Sequence, residues 1–172
     1  RNVLKEKVWN ITDIERIVDK ISEFSFGTRY HHYLNILGIL DLKERNKKGC
    51  IVECGVWRGG SSMCMLLAQS ALFGKIEYPV YMLDSFESMP DPTPEDGPAA
   101  LNWVDTEHFY PEKGSGISYV DDVKNNLKRL HINENDYKIV SGYFDKTMPK
   151  FASELKNPIV LLRLDADWYE ST

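Results

Sequence analysis

Two acids, Asp165 and Asp167, stand either side of Ala166 close behind an apolar run in "PIVLLRLDADWYEST". One or two carboxylates at the end of a buried strand make a partial site for Mg²⁺, which prefers oxygen ligands and keeps several waters. A substrate with neighbouring hydroxyls can complete such a shell, and the metal then lowers the hydroxyl's pKa. Asp165 is the first candidate ligand and Asp167 the second, whereas Glu170 reads as an acid favoured at a helix start. On these residues alone, a role as loop or cap residues is the better reading of both aspartates.

A second constellation lies in "VECGVWRGGSS". A short apolar strand ends in Glu53-Cys54-Gly55, and the turn runs to Gly59-Gly60-Ser61 before a helix begins. Small residues admit close backbone approach, and free N–H groups at a helix start favour an anionic group. The next strand, "YPVYML", ends at Asp84, where an acid can accept both hydroxyls of a ribose. The nicotinamide fingerprint G-x-G-x-x-G is not met. Trp57 occupies the place of its second glycine, where a pyrophosphate needs room. The loop therefore suits an adenosyl ligand without a pyrophosphate, and a plain tight turn before a helix is the alternative.

Elements that can hold these residues follow from periodicity. Residues 12–24 read as a helix, with Thr12 and Glu15 as a capping box and Ile14, Ile17, Val18 and Ile21 as its apolar stripe. A second helix is expected over 29–45 with Tyr33, Leu34, Leu37 and Leu40 inward. From Cys50 the order becomes strand, helix, strand, helix, strand, helix, strand, which implies right-handed βαβ units and a parallel sheet. The helix at 118–130 carries Val120, Val123, Leu127 and Leu130 inward, capped by Ser118 and Asp121. A short helix is expected around 149–156. The continuous apolar character of "PIVLLRL" predicts a strand covered on both faces. Between Asp84 and Ser118 lies a long proline-rich connection with Trp103, His108, Phe109 and Tyr110. Connections of that length are usually functional or disordered, and a lid over the site and a loop packing its own aromatics are equal readings.

Together "VECGVWRGGSS", "LDSFESMPDP", "GYFDKTMP" and "LLRLDADWYEST" resemble the macrocin O-methyltransferase family, from about residue 24 to the end. The resemblance implies a class I methyltransferase fold, an α/β Rossmann-like parallel sheet with strand order 3-2-1-4-5-7-6. It also implies an S-adenosylmethionine- and Mg²⁺-dependent transfer of a methyl group to a sugar hydroxyl of a natural product or glycan. Carried over position by position, it places Glu53, Gly55, Gly59, Ser61, Asp84 and Ser85 at the cofactor and Asp165 and Asp167 at the metal. His108 is the nearest match to the family's general base. His31, His32 and His131 read as structural or exposed. Two departures, Ala166 for the usual glycine and Ser88-Met89 after "DSFE", remove no ligand.

The pattern further predicts a helical segment over 1–48 and a cofactor domain over 49–172 that stops after the fourth strand. Such a piece is expected to be inactive alone, with the flank of its fourth strand exposed. A non-catalytic module of the same fold, kept for binding or assembly, is the alternative function. A nicotinamide-dependent oxidoreductase is disfavoured by Trp57. A formal charge of −5 offers no basic field for nucleic acid or anionic membrane. The three cysteines, Cys50, Cys54 and Cys64, lack framework or zinc spacing and read as buried thiols in a reducing, cytoplasmic setting. A homo-oligomer and a small sugar-bearing acceptor are the expected partners.

Overall fold

A computed structural model describes residues 11–87, 92–105 and 118–169. The described elements are α1 (Ile11–Ile21), α2 (Arg29–Arg45), β1 (Cys50–Cys54), α3 (Gly60–Phe73), β2 (Val80–Asp84), α4 (Gly97–Asp105), α5 (Val120–Arg129), β3 (Tyr137–Ser141), α6 (Phe144–Glu154) and β4 (Ile159–Leu164). The four strands form one parallel sheet in the order β3-β2-β1-β4. The chain reverses direction across the sheet at β1, which has β2 on one side and β4 on the other. Ligands of open parallel sheets bind outside the carboxyl ends at such a reversal.

The two faces of the sheet are covered unequally. On one face Ile51, Val80 and Met82 pack with α1, α2, α3 and α5 through Ile17, Val18, Ile21, Ile36, Ile39, Met63, Leu66, Val123 and Leu127. The other face is a smaller cluster of Cys50, Val52, Cys54 and Leu83 beneath Phe151 of α6. The helices before residue 48 thus share a single core with the strands after it. α3 is apolar nearly all round and is buried along most of its length. Its polar Gln69 is satisfied locally: the amide nitrogen donates to the Tyr78 carbonyl at 3.0 Å, and the amide oxygen accepts from Glu77 and Tyr78.

Several expectations are corrected. The buried face of α2 is His32, Asn35, Ile36, Ile39 and Leu42, with Tyr33 and Leu40 packed beside it as expected, whereas Leu34 and Leu37 are exposed. The buried polar residues on that face hide the true stripe from a hydrophobicity reading. Thr12 lies inside α1 rather than ahead of it, and the Glu15 carboxylate accepts from Arg29 and from the Tyr33 hydroxyl. The cap of α5 is Tyr119, one residue after the expected Ser118, and Asp122 accepts the Tyr119 N–H at 3.1 Å. α6 begins at Phe144, five residues before the expected start, carries Pro149 inside it and ends at Glu154. The connection after β2 is not structureless, since α4 lies in it. β4 is not covered on both faces: Ile159, Leu162 and Leu164 are exposed. Its Leu161 side packs against α2, where a Cβ on Gly38 would meet Leu161 Cδ1 at 2.7 Å.

Candidate active site

Glu53 is the most perturbed acid of the site. It lies in the central strand, 1% exposed, and the sheet register sets it beside Arg163 of β4. Arg163 donates through Nη1 to Glu53 Oε1 at 2.9 Å and through Nη2 to Asp165 Oδ2 at 2.8 Å. Ser62, in the first turn of α3, donates its hydroxyl to Glu53 Oε2. Burial pushes the Glu53 carboxyl up to about 7, against the pull of Arg163 and Ser62, and the charges of Asp165 and Asp84 push the same way as burial. Burial opposes the Arg163 charge, and Glu53 and Asp165 outweigh it.

Asp84, at the end of β2, is held by three backbone N–H groups. Its Oδ2 accepts from Val56 at 2.6 Å and Trp57 at 3.0 Å, and its Oδ1 accepts from Phe86 at 2.8 Å. Trp57 (φ 48°) and Phe86 (φ 55°) are both in the left-handed region, which bulky residues rarely enter. The Trp57 ring stacks on Phe26 of the α1–α2 connection at 3.7 Å between centroids, and the Arg58 guanidinium lies 4.6 Å from its centre.

The glycines of the turn serve close approach between protein segments. A Cβ on Gly55 (φ 86°) would lie 1.9 Å from the Asp165 carbonyl oxygen. A Cβ on Gly60 would lie 2.5 Å from Ser25 Cβ and 2.6 Å from the Phe24 carbonyl oxygen. Gly59 (φ 90°) precedes α3 in the left-handed conformation. The same turn therefore fastens the end of β4 on one side and the α1–α2 connection on the other.

Asp165 and Asp167 follow β4. The Asp165 N–H donates to the Cys54 carbonyl at 2.8 Å, continuing the β1–β4 ladder. Asp167 (φ 63°) is pushed up to about 6, first by loss of hydration and then by the charges of Asp165 and Asp84. Glu53, Asp84, Asp165 and Asp167 thus form one electrostatic group at the carboxyl ends of β1, β2 and β4. Asp96 joins the connection before α4 to this edge, accepting the Tyr169 N–H at 2.5 Å and the Thr93 N–H at 2.7 Å. Those two bonds hold its carboxyl below the usual range.

Among the sequence-derived candidates, Glu53, Gly55, Asp84, Asp165 and Asp167 come together. Ser61 is buried in α3, and Ser85 accepts the Glu87 N–H at 3.2 Å. His108 lies outside the described residues. Sequence reasoning missed Arg163 and Ser62. A lone cation in an apolar strand, opposite a lone acid in the next, was the available signal for the first. Helical phase in "GGSS" was the signal for the second. Among the described residues no three His, Cys, Asp or Glu side chains are grouped to hold a metal ion. The aspartate pair fits Mg²⁺ in donor chemistry and would supply only part of its shell.

A parallel β3-β2-β1-β4 sheet, with a glycine turn after its central strand and an acid ending the next, has the class I methyltransferase fold. Solved structures agree on the fold: the O-methyltransferase NovP superposes with TM-score 0.67 at 24% identity, covering 86% of this chain and 58% of that one. The calicheamicin methyltransferase CalS11 superposes with TM-score 0.58 at 17% identity, covering 98% and 71%. Residues 36–172 match the family model described as Macrocin-O-methyltransferase (TylF). The chain belongs to that family. It is 33% identical over 125 residues to the 8-demethyl-8-(2,3-dimethoxy-alpha-L-rhamnosyl)-tetracenomycin-C 4'-O-methyltransferase of Streptomyces olivaceus, covering 72% of this chain and 44% of the relative. It is 30% identical over 128 residues to the mycinamicin III 3''-O-methyltransferase of Micromonospora griseorubida, covering 72% and 46%. The chain spans about half the length of these curated relatives. No described helix is long and apolar enough to cross a membrane.

Proposed function

We propose that this chain carries the cofactor half of an S-adenosylmethionine-dependent O-methyltransferase whose acceptor is a sugar hydroxyl of a natural product or glycan. The convergence of Glu53, Asp84, Asp165 and Asp167 at the carboxyl ends of three neighbouring strands carries this reading. An acid-rich cleft suits a cationic ligand and disfavours a pyrophosphate. Family membership and the sugar-methylating relatives support the same choice. A non-catalytic assembly role has no observation in its favour.

When bound, S-adenosylmethionine supplies a methyl group on positively charged sulfur, so the protein must align, shield and deprotonate the acceptor. Asp84 would take a ribose hydroxyl, having acceptor capacity beyond its three backbone bonds. Gly55, Gly59 and Ser61 would border the methionine end, and Glu53 would stabilise positive charge from beneath. Ser85 would line the ribose side. Asp165 and Asp167 would offer oxygens to Mg²⁺, and the chemistry a metal would supply there is a lowered pKa for an acceptor hydroxyl. His108 would take that proton. The 84–118 connection would exclude water, and its Asp96–Tyr169 bond reaches the segment beyond β4. Cytoplasmic residence and a homo-oligomer complete the reading.

The test is calorimetric titration of S-adenosylmethionine into the protein, with and without Mg²⁺, followed by incubation of isotope-labelled cofactor with glycosides bearing free sugar hydroxyls. Saturable binding and label on the sugar are expected. Absence of binding by folded protein would sink the proposal.

A further inference from the structure

Of the five non-glycine residues at positive φ among the described residues, Asn46 caps α2 and His131 follows α5, while Trp57, Phe86 and Asp167 lie at the carboxyl edge of the sheet. Left-handed conformations of bulky residues persist only where surrounding structure enforces them, and such outliers gather at functional sites. Two of the three, Trp57 and Phe86, donate their N–H groups to the same carboxylate, that of Asp84. The Val56 and Trp57 N–H groups point together at Oδ2, a backbone nest of the kind that binds anions.

A glycine would adopt this conformation without cost, yet the chain places its largest side chain there. The ring is fastened to Phe26, which comes from a different segment of the chain, and lies near Arg58. Phe86 is itself buried, 6% exposed, which fixes the second left-handed donor. The carboxylate so gripped cannot rotate without losing bonds to both loops. A carboxylate offers about four acceptor positions, and three are taken by these donors.

From this geometry we infer that Trp57 is a positioning residue for cofactor recognition. Its stacked ring holds the left-handed nest, and the nest aims the remaining acceptor of Asp84 at a ribose hydroxyl. This rests on the cofactor reading above and adds which residue makes the acid selective. Glycine at 57 would permit the same backbone but no longer enforce it. The ring and the carboxylate thus act as one unit, although the ring makes no bond to the ribose.

The experiment compares S-adenosylhomocysteine with its 2′,3′-dideoxy analogue by calorimetry, on the full chain as wild type, Trp57→Gly, Trp57→Phe and Phe26→Ala. A hydrogen bond to a charged acceptor gives the wild type a preference for the ribose form of roughly tenfold or more. Trp57→Gly is expected to bring that ratio close to one, Phe26→Ala to reduce it in part, and Trp57→Phe to restore it. A loss of general structure would weaken both ligands equally and leave the ratio intact, and that result overturns the inference. If Trp57→Gly fails to fold, Phe26→Ala decides, because it leaves the chain at 57 unaltered. A wild type that binds neither ligand sinks the cofactor reading itself. A wild type that binds both equally leaves that reading standing and overturns the selective role of Asp84 and Trp57.

Discussion

Replacing Arg163 by Met removes the cation between a buried and an exposed carboxylate while keeping most of the apolar stem. The two losses differ in size. Asp165 is 56% exposed at its side chain, so its pair with Arg163 is worth about 0–1 kcal/mol. Glu53 is buried, and stranding a buried charge typically costs about 3–5 kcal/mol. Glu53 has an escape, because its carboxyl already stands at about 7 and can take a proton. In the wild type the folded state holds that proton between the ordinary value of 4.5 and about 7, while the unfolded chain does not. Stability from this group therefore falls as pH rises through that window and levels off above it. Without Arg163 the folded carboxyl keeps its proton to higher pH, so the fall continues at about 1.4 kcal/mol per pH unit. The gap between variant and wild type should be smallest near pH 6 and should widen by up to about 1.4 kcal/mol between pH 7 and 8. Urea denaturation across that range measures it, and the double variant Glu53→Gln/Arg163→Met should show no widening. A gap independent of pH would refute the account and leave lost packing as the cause.

Gly55→Ala should be among the most destabilising small changes in the chain, by several kcal/mol, because its Cβ meets the Asp165 backbone at positive φ. Gly74→Ala, also at positive φ but with nothing within 4 Å, should cost only about 1–2 kcal/mol of backbone strain; thermal denaturation of the pair separates the two effects. Burial raises the Cys50 thiol, and raises Cys54 to about 11 and Cys64 to about 12, with Glu53 adding to both of the latter. A disulfide reagent near pH 8 should react slowly with all three in native protein and rapidly after denaturation. Leu66→Ala, at a fully buried position of α3, should cost about 2–5 kcal/mol in urea unfolding.

The alternation of apolar strands and periodic helices made the parallel sheet legible, because each strand after Cys50 is a compact apolar run. The glycine turn and the two aspartates were legible for the same reason: chemistry-bearing residues stood at strand ends. The inward face of α2 was legible only in part: Tyr33 and Leu40 pack on the core, but buried His32 and Asn35 displace the face away from Leu34 and Leu37. α6 starts five residues before the expected helix and holds Pro149 inside it, despite the general cost of proline in a helix interior. Arg163 escaped notice since its partner lies 110 positions earlier and meets it only through the strand register. The glycines were read as room for a ligand, whereas Gly55 and Gly60 make room for the chain's own backbone.

The placement of β1 between β2 and β4 has a consequence for the order in which the molecule assembles. Ile51 finds Val80 of β2 a short way along the chain, but its other flank waits for Leu161. Pairings between such distant positions close slowly, since the intervening chain must be confined first. On a ribosome, the β2–β1 half with its helices can form while β4 is still unmade. Until β4 arrives, Glu53 has no Arg163 beside it and Gly55 has no carbonyl to meet. Among the four described strands, the acid cluster is therefore the last part to form, since it needs β4 beside β1.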